Sequence, residues 1–219
     1  MEDSTTREKI LKKIRKALTN HRPQPYPNID WESNVHVVSG NPLEETFAKE
    51  FTAIGGRFVF CENELDFLEQ LVQHSVEGGW KKIFCYEEEL CNLLEKVEFP
   101  FTREQNDFKE EMVAVTSCEA LVARLGSVMI SSKSQSGRRM VVVPTTHVIY
   151  AKTSQLVPDV KDALLLIKNK YKDQMPSFIA SLAGPSRTAD IEKTLVTPAH
   201  GPRDIFVFLI DDKGINSNI

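Results

Sequence analysis

Short apolar runs and helical patterns alternate between residues 35 and 96, and this alternation constrains the fold more than any other feature of the sequence. Strands separated by helices of about ten or more residues need crossover connections, which favour a mainly parallel sheet with helices on both faces. The predicted elements are strand 35–40, helix 42–53, strand 57–62, helix 64–76, strand 81–86 and helix 87–96. The first half is therefore predicted to be a three-layer α/β unit.

The second half of the chain departs from this alternation. A strand is predicted over 112–118, a short helix over 119–124, and strands over 127–132 and 140–150 joined by the polar loop SKSQSGRR. Two strands joined by such a loop favour a hairpin or another antiparallel pairing, so we expect an antiparallel portion to enter the sheet here. The remaining predicted elements are helix 159–174, strand 177–181, helix 189–196 and strand 204–212.

The N-terminal residues form a separate predicted element. Thr5 and Glu8 have the spacing of a capping box, and an amphipathic helix follows with a basic face. That face fits a solvated surface, an acidic partner or a membrane surface. The prolines after it favour an extended segment. We predict a helical arm over 1–20, a proline-rich strap over 21–34, one α/β domain over 35–212 and a tail over 213–219.

Charge and cysteine usage narrow the class of protein. The 27 basic and 31 acidic residues give a net charge of −4, which disfavours a nucleic-acid partner. The four cysteines are dispersed in or beside apolar runs and are expected to be reduced core residues. We expect a cytoplasmic protein with no membrane span, because no secretory signal and no apolar run of about 18 residues occurs.

The stretch SLAGPSRTADIE is the first candidate binding site. If 177–181 is a strand and 189–196 a helix, the turn lies where backbone N–H groups of a helix N-terminus bind anions. Its candidate residues are Gly184, Pro185, Ser186, Arg187, Thr188, Asp190 and Glu192. Arg187 can clamp a carboxylate or phosphate; alternatively, Thr188 caps the helix and Arg187 pairs with one of the two carboxylates.

A second turn, TPAHGPRD, precedes the last predicted strand. We expect it to flank the same cleft as the first turn. His200 is the candidate acid–base residue there, followed by Gly201, although a histidine in such a turn is also explained structurally.

These two stretches, GPSRTADIE and LVTPAHGPRDIFVFLID, together resemble the C-terminal signature of the LUD domain family, in particular its lactate utilization protein C group. The resemblance spans residues 35–211, and its distinctive motifs occupy the last forty or so. On this sequence they fall on Gly184–Thr188, Asp190, Glu192 and His200–Pro202. The resemblance implies a fold similar to the sugar-phosphate isomerase and CoA-transferase (NagB/RpiA/CoA-transferase-like) group. It also implies a role with iron–sulfur partner proteins in oxidising L-lactate to pyruvate.

The chain departs from that family at two places. Where relatives tend to read Glu-Thr-Gly-Thr or Glu-Thr-Gly-Ser, it has Arg124, Leu125, Gly126 and Ser127, and Pro198 replaces a common glycine. Gly126 and Ser127 remain candidates for an oxyanion site, with a plain helix C-cap as the alternative.

Two further features of the sequence have both a functional and a structural explanation. His147 is either a site residue facing the cleft or a hydrogen-bonded core histidine. The loop with Lys133, Arg138 and Arg139 either closes over an anionic ligand or is a solvated hairpin tip.

Metal and common cofactor motifs are not found in the sequence. The five histidines lack metal-ligand spacing, so no metal site is predicted. No closely spaced cysteine motif occurs, so iron–sulfur clusters are expected only in partner proteins. The glycine-rich dinucleotide, P-loop and serine-hydrolase motifs are also missing.

Three functions follow as hypotheses. The first is an accessory subunit of L-lactate oxidation that binds a small anion and iron–sulfur subunits. The second is a free-standing enzyme acting on an acyl-CoA, a folate or a phosphorylated small molecule. The third is a regulatory or scaffold protein whose basic arm docks a partner. A homo-oligomer is compatible with each, and whether the chain is itself an enzyme stays open.

Overall fold

The computed structural model describes residues 5–19, 25, 26, 28–30, 33, 36, 40–80, 83–104, 112–191 and 194–214, without the side chains of 189–191 and 194–196. The chain divides into two units, residues 1–38 and 39–219, which are described separately. In the first unit, helix α1 spans Thr6–Thr19 and none of its residues is buried. Its N-terminus has the predicted capping box: the Thr5 N–H donates to the Glu8 carboxylate at 2.9 Å. None of the helices described is long and apolar enough to cross a membrane.

The described residues of the second unit form helices and strands, together with 3₁₀ turns at Ala123–Leu125 and Thr153–Gln155. Its elements, in chain order, are α2 (Leu43–Ala53), β1 (Arg57–Cys61), α3 (Glu64–Glu77), β2 (Ile83–Cys85), α4 (Glu88–Glu95), β3 (Phe101–Thr102), β4 (Val113–Ser117), β5 (Ala120–Val122), β6 (Ser127–Ser131), α5 (Arg139–Val142), β7 (Thr146–Lys152), β8 (Leu156–Val157), α6 (Val160–Tyr171), β9 (Ile179–Leu182), β10 (Thr188–Ile191), β11 (Thr194–Val196) and β12 (Asp204–Ile210).

A parallel sheet forms the centre of this unit. Six of the described strands pair in the order β1–β12–β7–β4–β2–β3, and every neighbouring pair is parallel. The α/β class with a mainly parallel sheet, predicted from the alternation over residues 35–96, is therefore confirmed. Helices α2, α3 and α4 and strands β1 and β2 lie within a few residues of their predicted bounds.

The two faces of the parallel sheet are covered differently. On one face, α3 and α4 pack Phe67 and Leu94 against strand residues such as Phe208. On the other face, α2 buries Phe47 and Phe51 together with residues of a second sheet. Successive residues of β12 alternate between these two cores, because side chains of a strand point to opposite faces in turn.

The second sheet supplies the antiparallel portion. Its described strands follow the order β8–β5–β6–β9, with β6 antiparallel to both β5 and β9. Helix α6 packs Ala163 and Ile167 against the second sheet, on the face that points away from the parallel sheet. Asp159 caps α6 by accepting a hydrogen bond from the Val160 N–H at 2.6 Å.

Two predictions for the middle of the chain are wrong. Residues 119–124 contain strand β5 and part of a 3₁₀ turn instead of a helix, because a short apolar run carries no period that distinguishes the two and pairing with β6 and β8 decides. The hairpin expected between 127–132 and 140–150 does not form. Residues 139–142 make the helical turn α5, and β6 and β7 belong to different sheets.

The helix predicted over 189–196 is also wrong. Strands β10 and β11 form an antiparallel hairpin there, with Thr188 opposite Val196 and Ile191 opposite Thr194. Four β-branched residues occupy these paired positions, and that residue class favours strands over helices.

Several predicted segments lie wholly or mostly outside the described residues. These are the strand over 35–40, most of the strap over 21–34 and the tail beyond Gly214. The domain boundaries predicted from the sequence stay predictions.

Candidate functional site

The predicted glycine–proline turn packs against the C-terminal end of α2. Gly184 has a φ of +77°, and a Cβ atom added there would lie 2.5 Å from the carbonyl oxygen of Ile54. That close approach and the left-handed conformation both require glycine. Pro185 is buried behind it. Packing against α2 therefore explains the glycine in this turn.

Arg187 contributes to the same packing. Its guanidinium donates from Nη2 to the Ile54 carbonyl oxygen at 2.5 Å, although the side chain is otherwise exposed. The carbonyl groups at the end of a helix have no partner within the helix, and a basic side chain satisfies them. Arg187 thus stabilises the end of α2, a role that neither explanation drawn from the sequence contained.

The anion cradle expected at a helix N-terminus is absent from this turn. Strand β9 is paired antiparallel to β6 in the second sheet, and Thr188 begins β10 instead of a helix. The argument from the carboxyl end of a parallel strand therefore does not apply here. The side chain of Asp190 and the whole of Glu192 lie outside the described residues.

The two predicted turns do meet. The Ala199 N–H donates to the carbonyl oxygen of Ser186 at 3.0 Å, and the Ser186 hydroxyl lies 3.3 Å from His200 Nε2. His200 is exposed, and Gly201 beside it has a φ of +74°. Ser186, Arg187 and His200 therefore share one surface, which we call the His200 surface.

Gly126 and Ser127 lie at a different packing contact. Gly126 has a φ of +55°, and a Cβ atom there would lie 2.2 Å from the Phe51 nitrogen. It ends a 3₁₀ turn as a left-handed cap, close to the C-cap reading of the sequence. Ser127 is fully buried in β6, and its hydroxyl has no hydrogen-bond partner among the described residues. Gly126 and Gly184 thus both let the chain pass close to α2.

Arg124, which stands where relatives tend to have glutamate, forms an ion pair in the structure. Arg124 donates from Nε and Nη2 to both carboxylate oxygens of Asp159, at 2.9 and 2.7 Å. Asp159 is the N-cap of α6, so this bidentate pair joins the segment before β6 to the start of that helix.

His147 is a core residue on β7. It is fully buried, and Nε2 lies 2.8 Å from the Thr116 hydroxyl. Burial lowers the pKa of the imidazole to about 4, so the ring is neutral at pH 7. Nδ1 has no hydrogen-bond partner among the described residues. The structure agrees with the core-histidine explanation of this residue.

A polar cleft lies at the carboxyl ends of β2 and β4, where ligands collect in open parallel sheets. It has a volume of about 230 Å³. We call it the Glu87–Glu119 cleft, after the two buried carboxylates in its wall, which directly follow the predicted strands 81–86 and 112–118. Carboxylates at strand ends were a usable signal in the sequence, and that signal was missed.

Glu87 holds the cleft wall together. Its Oε1 accepts from the Ser117 N–H at 3.0 Å and from the hydroxyls of Ser134 and Ser136 at 2.9 and 2.8 Å. Its Oε2 accepts from the Ser117 hydroxyl. The loop after β6, which the sequence suggested as either a closing loop or a solvated tip, is thereby held to Glu87 and lines the cleft.

Glu119 is the second carboxylate. It is 5% exposed, and its oxygens accept from Ser131 at 2.6 Å, Tyr171 at 2.7 Å and Lys170 at 2.8 Å. Burial raises the pKa of this carboxyl, but the hydrogen bonds from Lys170, Ser131 and Tyr171 outweigh burial and lower it overall. Glu119 is therefore ionised at neutral pH.

The cysteines have the character of core residues. All four are buried, and burial raises the pKa of the Cys61 thiol to about 12 and also raises those of Cys85 and Cys118. In the part of the chain that the structure describes, no group of three His, Cys, Asp or Glu side chains is placed to hold a metal ion.

Residues 44–210 match the family model of the LUD domain. Among curated proteins, the chain is 35% identical over 103 residues to lactate utilization protein C of Bacillus licheniformis, covering 46% of this chain and 43% of that protein. It is 33% identical over 114 residues to lactate utilization protein C of Bacillus subtilis, covering 50% and 48%. The matched segments thus span about half the length of these curated relatives or less.

The fold resembles a crystal structure of a DUF162 family protein from Deinococcus radiodurans. The TM-score is 0.58 at 14% sequence identity, and the match covers 77% of this chain and 96% of that one. This similarity bears on the fold alone. The matched family segment contains the parallel sheet, both predicted turns and the Glu87–Glu119 cleft.

Proposed function

The chain belongs to the LUD domain family, and on that premise we propose that it is an accessory subunit of L-lactate oxidation to pyruvate. The observation that carries the proposal is the match over residues 44–210, together with relatives named lactate utilization protein C. Because the matched segments cover half or less of those relatives, the pathway role is assigned to this chain by proposal.

The proposal assigns the electron-carrying clusters to partner proteins. Oxidising lactate to pyruvate releases two electrons, and an acceptor must take them. The described cysteines are dispersed: Cys61 ends β1, Cys85 ends β2, Cys91 lies in α4 and Cys118 follows β4. Iron–sulfur clusters are held by converging thiolates. On this proposal the acceptor is an iron–sulfur subunit that associates with this chain in the cytoplasm.

We also propose that the chain binds a small carboxylate ligand. The His200 surface is one place for it, because the exposed side chains of His200 and Arg187 can donate hydrogen bonds beside the Ser186 hydroxyl. The Glu87–Glu119 cleft is the other. The cleft also supports the alternative of a free-standing enzyme on a small molecule, since it lies at the carboxyl edge of the parallel sheet.

Deleting the encoding gene tests the role. We expect loss of growth on L-lactate as the sole carbon source, unimpaired growth on pyruvate and full restoration by the intact gene. Growth on pyruvate is the matched control, because it enters metabolism after the proposed step. Wild-type growth of the deletion strain on L-lactate would reject the proposal.

The partners are tested by affinity purification of the tagged chain from cells growing on L-lactate. We expect co-purified proteins that contain iron and acid-labile sulfide in stoichiometric amounts. A chain that purifies alone and converts a small molecule by itself would instead support the free-standing enzyme.

A further inference from the structure

We propose that two copies of this chain form a dimer in which helix α1 of each copy docks into an apolar groove on α3 of the other. The proposal concerns assembly, so it goes beyond the proposed function and does not depend on it. It rests on two exposed surfaces that match in length, in apolar pattern and in charge.

Helix α1 has an exposed apolar stripe. Ile10, Leu11, Ile14 and Leu18 are three or four residues apart, which places them on one face of the helix. Each of these side chains is between 40% and 69% exposed. A short amphipathic helix gains most of its stability when such a face packs against another apolar surface. The stripe therefore calls for a partner.

A second exposed apolar stripe runs along α3. Leu65, Val72 and Val76 lie on one side of this helix, seven and four residues apart, and Leu65 and Val76 are 68% and 76% exposed. The stripe continues into a groove between α3 and the residue that follows Lys96. We call it the α3 groove, and it is lined by Leu65, Leu68, Glu69, Val72 and Val97. Contiguous exposed apolar surface of this kind marks an interaction site.

The two stripes match in length. Helices α1 and α3 each have 14 residues, which is about 21 Å at 1.5 Å per residue. The apolar residues of α1 span Ile10 to Leu18, and those of α3 span Leu65 to Val76, so the shorter stripe fits within the longer one. Side-chain ridges with spacings of three and four residues interdigitate when two helices pack lengthwise.

The charges of the two surfaces are opposite. Helix α1 has six lysines and arginines and one glutamate. Helix α3 has four acidic residues, α4 has three, and neither helix contains a lysine or an arginine. Glu69 lies in the α3 groove itself. An anionic lipid surface would satisfy α1 but would leave the α3 groove uncovered, whereas docking of α1 into the groove covers both surfaces.

The segment that follows α1 favours a second copy as the partner. Pro23, Pro25 and Pro27 predict an extended spacer between the arm and the domain. Such a spacer keeps its two ends apart, which favours contact with a neighbouring molecule. Exchange of the same element between two copies closes a two-fold symmetric dimer with two identical contacts.

Sedimentation equilibrium of the purified full-length chain measures the association. We expect a dimer of two 24.8 kDa chains. Ile14→Glu on α1 and Val72→Glu in the groove should each weaken the dimer at least about tenfold, because that is only 1.4 kcal/mol and burial of an unpaired charge costs more. Leu164→Glu on α6 is the matched control. Like Val72, Leu164 is a helical residue that is 43% exposed, and its replacement should leave the dimer unchanged.

An equimolar mixture of the two weakened variants tests the contact itself. The Ile14→Glu chain keeps its groove and the Val72→Glu chain keeps its arm, so one of the two contacts forms between them. We expect the mixture to associate more strongly than either variant alone. If circular dichroism shows that Val72→Glu does not fold, Leu65→Glu takes its place, since Leu65 lines the same groove and is more exposed.

Ionic strength tests the role of charge. We expect the dimer to weaken between about 0.01 M and about 0.1 M salt, because the Debye length falls from roughly 30 Å to 10 Å and exposed charges are screened. An unchanged dissociation constant over this range would contradict the charge complementarity on which the choice of partner rests.

Four further results would overturn the proposal. One is a wild-type chain that stays monomeric up to about 100 μM, a hundred times a micromolar dissociation constant. The second is a dimer that Ile14→Glu and Val72→Glu leave intact, and the third is a mixture that associates no better than its components. The fourth is a monomer that floats with vesicles of anionic phospholipid and loses this binding in Ile14→Glu, which would assign α1 to a lipid surface.

Discussion

Arg187 and Ile54 are joined by a hydrogen bond of 2.5 Å from the guanidinium Nη2 to the backbone carbonyl oxygen. The sequence suggested this arginine as an anion clamp. In the structure it instead donates a hydrogen bond to a carbonyl group at the C-terminal end of α2. This contact distinguishes a structural role of the glycine–proline turn from a binding role, and the two roles predict different results for the same variant.

We expect Arg187→Ala to lower the free energy of unfolding by about 1 kcal/mol, because one helix-terminal carbonyl loses its partner. Chemical denaturation measures this loss. His200→Ala is the control from the same surface; its exposed side chain should change stability by less than about 0.5 kcal/mol. Unchanged stability of Arg187→Ala, together with loss of carboxylate binding, would return the site to this turn.

Gly126→Ala tests the close approach to α2. The new Cβ would lie 2.2 Å from the Phe51 nitrogen at a φ of +55°, so backbone must move. We expect a loss of about 3 kcal/mol or more in thermal or chemical unfolding. Gly79→Ala is matched in conformation, with a φ of +61° and no atom within 4 Å, and should cost only about 1 kcal/mol of left-handed strain. Similar losses in both variants would mean that the contact with α2 relaxes easily.

His147 predicts a pH dependence of stability. The folded-state pKa of about 4 lies below the ordinary value of 6.5, so the unfolded chain binds more protons between these values. The free energy of unfolding should therefore fall as the pH falls from 6.5 towards 4, by on the order of 3 kcal/mol in total from this residue. His147→Gln should remove that part of the slope between pH 6.5 and 5. An identical slope in the variant would show that other groups cause it.

Removing the charge of Lys170 beside the buried Glu119 carboxylate should lower the stability of the protein. Lys170→Met leaves the 5% exposed Glu119 without its cationic partner, and because the lysine is itself half-exposed we expect a loss of about 2 kcal/mol. Lys168→Met on the same helix should lose less than about 0.5 kcal/mol. The measurement is urea denaturation at pH 7. Equal stability of the two variants would contradict the assigned role of the pair.

Glu119→Gln tests the sign of the carboxyl pKa. A lowered pKa contributes stability above the ordinary value of 4.5 and loses it as the pH falls through the folded-state pKa. The variant should therefore be less stable than wild type at pH 7, and the difference should shrink as the pH falls below 4.5. A difference that is constant from pH 7 to pH 3 would contradict ionisation of Glu119 as its cause.

The sequence by itself determined the elements whose patterns are local. The alternation over residues 35–96 predicted α2, α3, α4 and strands β1 and β2, and the apolar run at 204–212 predicted β12. The two C-terminal motifs also sufficed to indicate the family, because they lie in continuous stretches. In each case the deciding interactions act within a helix turn or along one strand, where periodicity and capping residues are visible.

Only the tertiary structure decided which segments pair and which side chains meet. Residues 120–122 became strand β5 because β6 and β8 pair with them, and a short apolar run does not specify such partners. Strands β10 and β11 pair with each other, and their β-branched residues favour that hairpin over the predicted helix. The Glu87–Glu119 cleft is a product of the same long-range order: Ser136 reaches Glu87 across 49 residues of chain. A single sequence contains each of these residues, but their proximity follows from folding the sheet, since hydrogen bonds and packing across such distances have no local pattern.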